Sequence, residues 1–429
     1  SDQQIFDEEL AMIRNAKTYI FVDMFLWNNF EVVKGDVHRK LAAELTEVLI
    51  TKKKENKNIV IQEISDPINT VYGGQKSSYF EAMKEAGISV VFTNLPALRD
   101  SNPVLSSFWR VFIYPIDEAH TAIFGTPYTF RVLPNMLDTD GEKVTARSYL
   151  GLLNFKANHR KLLVTDEEKN GKQNLVSLVT SENPHDGSSS HSNVAIKVKG
   201  ALAYDILQSE KEIFTLGGGM FIEPSIISED EKGSIEARVL TDGAILTEVR
   251  KMIQETKKGD TIDMLMFYFS ERHIISDLLE ASKRGVSIRL ILDPNKDAFG
   301  REKNGIPNRE TAAKLVDESN GAIQVRWCNT HGEQCHGKLL VVHSGDMYCM
   351  TLGSANFTRR NIGGYNLETN VTLSSTSTYT TWSDAVNYFE ALWKNTNYEF
   401  SVPYENYKDT SWIKRVVSWV MEQTGLGTF

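Results

Sequence analysis

Two short segments in opposite halves of this chain are nearly the same. The first is HRKLLVTD, from His159 to Asp166, and the second is HGKLLVVH, from His336 to His343. Each begins with a histidine and a lysine two positions apart and continues as an apolar run typical of a β-strand. Because residues i and i+2 of a strand share one face, each histidine is predicted to point the same way as its lysine. A repeated pair of this kind predicts two similar half-structures.

The repeat extends through the flanking segments. In each half, near-continuous apolar stretches such as KTYIFVDMFLW and DTIDMLMFYF alternate with helical patterns. This order predicts buried strands in a layered α/β fold. We predict two similar halves, each a mixed, largely parallel β-sheet flanked by helices, related by a pseudo-twofold axis with the active site between them. The halves are placed at 1–225 and 226–429, with the seam in the glycine-rich and charged stretch 216–234.

The first half is longer because it carries an insertion near 98–152. The insertion includes Phe108, Trp109, Phe112 and Tyr114. Long insertions on a repeated scaffold are often functional. Two interpretations are open: a small subdomain with its own core, or an apolar wall or lid beside the active site, suited to acyl chains.

The C-terminal stretch SWIKRVVSWVMEQTG predicts an amphipathic helix. Trp412, Val416, Trp419 and Val420 recur at helical spacing with charged residues between them. A helix packed on the core and an interfacial membrane helix are both compatible with this pattern. No apolar run reaches the length needed to span a membrane. The formal net charge of -9 argues against the basic surface typical of nucleic-acid binding.

The repeated residue types suit phosphodiester chemistry that needs no metal. A neutral histidine is a nucleophile toward phosphorus, and a protonated one can give its proton to a departing alkoxide. Lysines and asparagines can stabilise the charge that develops on the phosphate oxygens. Each motif is followed by Ser-x-Asn, in TSEN and then in GSAN. Two half-sites that meet would therefore provide the complete set.

The motifs resemble those of the phospholipase D superfamily, HxKxxxxD repeated, each followed by a GSxN-like element. The first copy is filled by His159, Lys161 and Asp166, with Ser181 and Asn183 after it; the second has His336, Lys338, Ser354 and Asn356. The resemblance covers nearly the whole chain through the repeat. It implies a phosphodiesterase or phosphatidyltransferase that forms a phosphohistidine intermediate and uses no metal or other cofactor.

The resemblance also implies a role for each residue. His159 is expected to be the nucleophile and His336 the general acid and base, with swapped roles left open. In the family an acidic residue orients each histidine, and Glu368 fits that role for His336. The expected catalytic lysines are Lys161 and Lys338. The expected substrate-binding residues are Asn183, Ser354, Asn356 and Ser181, and Asp166 is expected to give structural support.

The chain departs from the family pattern at two positions. His343 stands where the second motif should have aspartate. On a regular strand this position faces away from the His–Lys pair, so we expect it to affect support of the site rather than the chemical step. In the first half, the position that corresponds to Glu368 by spacing is His191. Asp186 or Glu182 could orient His159 instead.

Two other clusters allow competing interpretations. Cys328, His331, Cys335 and His336 have a spacing compatible with zinc. The simpler interpretation is that the cysteines are buried or half-buried thiols, because an odd, clustered set does not indicate a disulfide framework.

Two carboxylates recur at strand ends, Asp66 in ISDP and Asp293 in ILDP. Acid–base work is one interpretation of this pair. We favour capping of the turns that follow the strands.

The sequence constrains the substrate class less than it constrains the fold or the site. The acidic net charge, the aromatic insertion and the C-terminal helix favour a phospholipid, with water or an alcohol as acceptor, as in phospholipase D or cardiolipin synthase. A nuclease acting on single-stranded nucleic acid is the alternative, and a non-catalytic binding module would not need both histidines. We expect a monomer with two half-sites, associated with a membrane surface and anchored by an N-terminal segment outside this sequence.

Overall fold

The computed structural model describes residues 3–30, 39–113, 115, 131–137, 141–151, 156–169, 171–226, 233–298, 301–409, 411–425 and 427. The strands described in the first half are β1 (Tyr19–Met24), β2 (Val60–Ser65), β3 (Ser89–Phe92), β4 (Arg131–Leu133), β5 (Val144–Thr145), β6 (Lys161–Lys169), β7 (Lys172–Thr180) and β8 (Ala195–Lys199). Those described in the second half are β9 (Glu236–Thr241), β10 (Thr261–Met266), β11 (Ser287–Leu292), β12 (Asp297–Ala298), β13 (Arg301–Glu302), β14 (Ile323–Cys328), β15 (Lys338–Ser344), β16 (Met347–Gly353), β17 (Thr369–Ser375) and β18 (Ser401–Pro403).

Helices flank the two large sheets. Those described in the first half are α1 (Gln4–Asn15), α2 (Leu41–Glu55), α3 (Ser78–Glu85), α4 (Pro103–Phe108), α5 (Ala146–Gly151) and α6 (Ala201–Leu216). Those described in the second half are α7 (Gly243–Gln254), α8 (Arg272–Lys283), α9 (Asn308–Glu318), α10 (Arg359–Ile362), α11 (Thr380–Lys394) and α12 (Trp412–Thr424). None of these helices is long and apolar enough to cross a membrane.

The two large sheets repeat one topology. The first has the order β3-β2-β1-β6-β7-β8, and the second contains the matching order β14-β11-β10-β15-β16-β17, extended by β18 and β9 at its edges. In each sheet three strands run parallel, and the motif strand, β6 or β15, joins them antiparallel. The prediction of two similar α/β halves is confirmed.

The parallel part of each sheet is smaller than the apolar strand pattern predicts. The motif strands are followed by tight hairpins, which only antiparallel neighbours can form. Gly171 and Gly345 lie in these hairpins with φ of 74° and 60°, a backbone region that glycine adopts without steric cost. Each motif strand therefore lies between the parallel strands and the antiparallel strands of its sheet.

The inner faces of the two sheets share one apolar cluster. Its buried members from β6, β7, β15 and β16 include Leu162, Val164, Leu175, Val179, Leu339, Val341, Met350 and Leu352. Removing these side chains from water drives the two halves together. The ends of the motif strands are thereby brought to a common interface.

Asp166 supports the first half, as predicted, and not the chemistry. Its buried carboxylate accepts the backbone N–H groups of Lys17, Thr18 and Tyr19 at 2.8–3.0 Å, just where β1 begins. In the second half His343 stacks on Tyr348 with ring centroids 4.5 Å apart. The support that Asp166 gives to β1 is therefore not reproduced by the residue at the matching position.

This difference predicts unequal effects on stability. We expect Asp166→Ala to lower the free energy of unfolding by about 2–4 kcal/mol, because one buried and two partly buried N–H groups lose a charged acceptor. His343→Ala should cost less than about 1 kcal/mol, as for a half-exposed ring. Urea unfolding of both variants measures the difference. Equal losses would contradict the assigned role of Asp166.

The C-terminal helix α12 does not pack its apolar side on the core. Trp412, Val416 and Trp419 are 72%, 51% and 55% exposed, whereas Ser418 and Glu422 are buried. The core-packing interpretation of this helix is therefore wrong.

Candidate active site

The two motif histidines lie at equivalent points, just before β6 and β15. The backbone N–H of His159 donates to the carbonyl of Leu367 at 2.9 Å, and that of His336 donates to the carbonyl of Ser192 at 2.8 Å. Leu367 lies in the second half and Ser192 in the first. Each histidine is thus held in place by the half to which it does not belong.

Asp66 and Asp293 hold the residue that precedes each histidine. One carboxylate oxygen of Asp66 accepts the N–H of Asn158 at 2.7 Å, and one of Asp293 accepts the N–H of Cys335 at 2.8 Å. The other oxygen of each accepts an N–H in the turn that follows its strand, at 2.8 and 2.7 Å. The turn-capping interpretation is confirmed, and it includes positioning of the histidine backbone.

Glu368 orients His159 and not His336. Its carboxylate oxygens lie 2.8 and 3.0 Å from Nδ1 of His159. The expectation that Glu368 serves the histidine of its own half is wrong, because the two halves exchange these residues across their interface. Neither Asp186 nor Glu182 takes this place: Asp186 accepts the N–H of Ala42 at 3.1 Å.

Asn193 occupies the position in the first half that Glu368 has in the second. Its Oδ1 lies 3.1 Å from Nδ1 of His336, and its Nδ2 donates to the carbonyl of His191 at 3.2 Å. The second contact fixes which end of the amide faces the ring. One histidine is therefore oriented by a carboxylate and the other by a neutral amide.

The two motif serines confirm this correspondence. Ser181 donates to Oδ1 of Asn193 at 3.0 Å, and Ser354 donates to the carboxylate of Glu368 at 2.5 Å. Both serines are fully buried. Sequence reasoning assigned them to the substrate, but the structure places them behind the residues that orient the histidines.

The two motif lysines are also arranged alike. Nζ of Lys161 donates to the carbonyl of His159, and Nζ of Lys338 to that of His336, both at 2.6 Å. Each ammonium lies 5.1 Å from the ring centroid of a phenylalanine, Phe25 or Phe267. Both side chains are buried behind the histidines. When protonated, they act on the site from behind the histidine rings rather than from the cavity surface.

Phe25 and Phe267 were not predicted as site residues. Each packs edge to face on its histidine with ring centroids 4.8 Å apart, Phe25 on His159 and Phe267 on His336. The sequence held a signal, because a Met-Phe pair recurs in VDMF and DMLMF at the end of the repeated strand.

One cavity of about 190 Å³ lies between the halves and contains both histidines in its wall. The described residues that line it are Phe25, Leu26, His159, Asn183, Ser188, His191, Phe267, Tyr268, Lys303, Gln334, His336, Asn356, Arg360, Asn361 and Asn366. The predicted amides Asn183 and Asn356 are among them. Within the described part of the chain, the buried Oδ1 of Asn356 has no hydrogen-bond partner.

Two cations in this wall were missed at the sequence level. Lys303 hydrogen-bonds the hydroxyl of Tyr268, and Arg360 donates to the carbonyl of Gly427 at 3.0 Å. Arg360 directly follows Arg359 after the GSAN element, but nothing in the sequence distinguishes the two. The cavity is therefore suited to a negatively charged group.

None of the described insertion residues lines the cavity. Phe108 and Phe112 are 52% and 62% exposed. Tyr114 and most of the segment 124–134 lie outside the described residues. The described part of the insertion thus gives no support to the lid interpretation.

Burial makes both histidines neutral near pH 7. It lowers the pKa of His159 to about 4, against the opposing effect of Glu368. Burial, followed by the charge of Lys338, holds the pKa of His336 well below its ordinary value. Burial also lowers the pKa of Lys161 to about 7. Since Nδ1 of His159 donates to Glu368, its Nε2 carries the free lone pair.

The cysteines do not form a zinc site. Cys328 and Cys335 form a disulfide with Cα atoms 6.2 Å apart, and Cys349 is free and half-buried. His331 is largely exposed beside Glu333. Both the zinc interpretation and the interpretation as three thiols are therefore wrong. Sequence spacing missed the pairing because β14 and the residue before His336 meet only in the fold.

The disulfide predicts sensitivity to reduction. We expect Cys328→Ala to lower the free energy of unfolding by about 2–3 kcal/mol, since the cross-link restricts the unfolded chain. Urea unfolding measures this, with Cys349→Ala as the matched control. Dithiothreitol should remove the difference between wild type and Cys328→Ala. A wild type that is unaffected by reductant would contradict the prediction.

Comparison with known proteins agrees with this geometry. Residues 249–393 match a family model described as cardiolipin synthase, PLD-like domain. No curated protein sequence matches this chain. The solved phosphatidylserine synthase of Haemophilus influenzae Rd KW20 aligns over 99% of this chain and 91% of its own, at 11% identity and a TM-score of 0.61.

Two further solved structures share less of the fold. Polyphosphate kinase from Porphyromonas gingivalis aligns over 92% of this chain at 13% identity and a TM-score of 0.48, and this chain spans 46% of its length. Nuc from Salmonella typhimurium aligns over 37% of this chain and 95% of its own, at 21% identity and a TM-score of 0.29.

Two repeated α/β halves with a histidine from each in one cavity define a duplicated fold with a composite site. The family match then gives a more specific conclusion for the region that it covers. Residues 249–393 match a phospholipase D-like domain, which supports the resemblance of the repeated motifs to the phospholipase D superfamily, and the chain as a whole shares the fold of the phosphatidylserine synthase. Members of this superfamily are phosphodiesterases and phosphatidyltransferases.

Proposed function

We propose that this protein cleaves or transfers the phosphatidyl group of a phospholipid through a phosphohistidine at His159, without a metal cofactor. One observation carries the proposal. His159 and His336 come from different halves, line the same cavity and differ in the residue that orients them, a carboxylate for His159 and an amide for His336.

In the first step Nε2 of His159 attacks phosphorus and the bond from phosphorus to the leaving alcohol breaks. Glu368 stabilises the positive charge that develops on the ring of His159, because it is ionised: burial acts to raise its pKa, but His159 holds it below the ordinary value. His336 gives a proton to the departing alkoxide. A bound phosphodiester anion raises the pKa of His336, so that the ring takes up this proton from solvent before the step.

In the second step His336 takes a proton from water or an alcohol, whose oxygen then attacks phosphorus and releases His159. Water yields phosphatidic acid, and an alcohol yields a new phosphatidyl ester. The bound anion also raises the pKa of Lys161 and Lys338, which burial lowers in the free protein. As ammonium groups they offset the negative charge of the phosphoryl oxygens from behind the rings, and Lys303 and Arg360 do so from the cavity wall.

Three features support a lipid over a nucleic acid. The net charge is -9, whereas nucleic-acid binding relies on positive surfaces. The family model is described as cardiolipin synthase, PLD-like domain, and a solved structure that aligns over 99% of the chain is named a phosphatidylserine synthase. The exposed apolar side of α12 also suits a lipid surface.

The test is product analysis on mixed phospholipids with glycerol, in EDTA, alongside single-stranded DNA and RNA. Phosphatidic acid or phosphatidylglycerol should form, and His159→Ala and His336→Ala should form neither. Cleaved nucleic acid with intact lipid would replace the proposal with a nuclease. No product from either substrate class would overturn it.

A further inference from the structure

Helix α12 is amphipathic, but its apolar side faces solvent and its polar side faces the protein. Trp412, Ile413, Val416, Val417 and Trp419 are between 41% and 72% exposed. A surface helix ordinarily turns its apolar side toward the core. The outward apolar side of α12 therefore needs another explanation.

Polar contacts fix this orientation. Lys414 pairs with Asp409 at 2.6 Å on the side of α12 that faces the protein. Further along the same side, the carboxylate of Glu422 accepts the hydroxyl of Ser270 at 2.9 Å and the N–H of Arg359 at 2.8 Å. The helix is thus held by its polar side, which directs its apolar side outward.

A positively charged cavity of about 660 Å³ lies beside the C-terminal end of α12. Its described lining residues are Arg99, Leu246, Arg250, Glu271, Arg272, His273, Ser276, Lys314, Arg359, Gly363, Tyr365, Glu422 and Gln423. Five of these are lysine or arginine and two are glutamate.

Much of the positive charge in this cavity is not neutralised by ion pairs. Within the described part of the chain, Arg99 and Arg272 form no ion pair, and Arg359 donates to a carbonyl of Ser101 and to the hydroxyl of Tyr365. Arg250 is paired with Asp277, and Lys314 lies 4.0 Å from Glu318. The carboxylate of Glu271 is occupied by the N–H of Ile274 and by His273. The cavity thus suits an anion.

This cationic cavity and the catalytic cavity share a wall. Arg359, Gly363 and Tyr365 line the cationic cavity, whereas Arg360 and Asn366 of the same segment line the catalytic one. An anionic headgroup bound in the first would lie next to the site of phosphodiester chemistry.

A second exposed apolar group adjoins the same C-terminal end of α12. Val104, Phe108, Val111 and Phe112, on α4 and the helical turn after it, are 52–80% exposed. The two elements meet closely: a Cβ on Gly425 would lie 2.3 Å from the carbonyl oxygen of Ser101. Apolar groups thus lie on both elements that meet at this junction.

We propose that this surface docks the protein on a bilayer that contains anionic phospholipid. The apolar side of α12 enters the interfacial region, and the cationic cavity binds a lipid phosphate. A protein with a net charge of -9 is repelled by such a bilayer unless it presents a local positive site. A twofold dimer through the same surface would place two cationic cavities against each other, so charge favours the bilayer over a second copy. The inference rests on the proposed function in that docking brings the enzyme to its substrate.

The test is sedimentation with vesicles of phosphatidylcholine alone or mixed with phosphatidylglycerol, using the His159→Ala protein so that no lipid turns over. Binding should require phosphatidylglycerol and should weaken with salt. Trp412→Ser combined with Val416→Ser, and separately Arg272→Glu, should each weaken binding about tenfold or more. As controls, Met220→Ser changes an exposed apolar residue and Lys172→Glu an exposed basic residue elsewhere on the surface. Both should leave binding unchanged.

Three results would overturn the inference: equal binding to both vesicle types, no binding, or full binding by the α12 and Arg272 variants. A dimer in analytical ultracentrifugation that the α12 variant dissociates would also overturn it, in favour of a second copy. Because binding is measured without turnover, an inactive protein that still binds would contradict the proposed function alone.

Discussion

Replacing His159 with alanine is expected to lower kcat by about 10⁴-fold or more, because the nucleophile of the first step is lost. No phosphorylated protein should then form with any substrate. The ring lies at the surface of an existing cavity, so we expect the variant to fold. Mass spectrometry of acid-labile, alkali-stable phosphate after rapid quenching measures the intermediate directly.

His336→Ala provides the matched comparison. With a phospholipid it should be as inactive as His159→Ala. With a nitrophenyl phosphodiester, whose leaving group needs no proton, it should still form the intermediate and then accumulate it, because the base for the second step is missing. If His159→Ala and not His336→Ala accumulates the phosphorylated protein, the roles are reversed.

Glu368→Gln is expected to lower kcat on the order of 10³-fold with little change in KM. The ionised carboxylate stabilises the charge that develops on His159 only as the reaction proceeds, so its loss affects the transition state more than binding. The substitution preserves size and keeps an acceptor for Ser354. Steady-state kinetics separates kcat from KM. A larger change in KM than in kcat would assign Glu368 to substrate binding instead.

Asn193, the amide that orients His336, allows a test of how charge at this position changes the pKa of that histidine. Asn193→Asp places a negative charge about 3 Å from Nδ1 of His336, which raises the pKa of that ring. The protonated form then persists to higher pH. The alkaline limb of the pH profile of kcat/KM should move up by about one unit. Asn193→Ala removes the acceptor and should not move it upward. A shift of the acid limb would mean that the amide orients the nucleophile.

Much of the fold follows from the sequence. The alternation of apolar strands and helices, repeated in order, predicted both halves, because each strand is buried on both faces and must be apolar along its length. The pairing directions were less predictable. The hairpins after His159 and His336 make the motif strands antiparallel to their neighbours, and hairpin length is a local feature that strand hydrophobicity does not report.

The site was predictable as a set of residues but not as a set of contacts. The histidines, lysines, asparagines and Asp166 were found from their spacing. Glu368 was found too, but with the wrong partner, since sequence distance favours the nearer histidine. Phe25 and Asn193 were missed because neither belongs to the motif, and their roles depend on the strand end that each one occupies.

The sequence by itself determined the repeated fold, the two histidines and the residue types around them, because strand periodicity and motif spacing are local properties of a chain. Only the tertiary structure decided which half orients which histidine, that Cys328 and Cys335 are bonded, and that the apolar side of α12 faces outward. The first of these depends on groups far apart in the sequence that meet when the two sheets bury their shared apolar faces. The disulfide instead joins residues seven positions apart, and α12 is held by the contacts of Glu422 with Ser270 and Arg359. Contacts across such an interface are set by the whole fold, not by any segment of it.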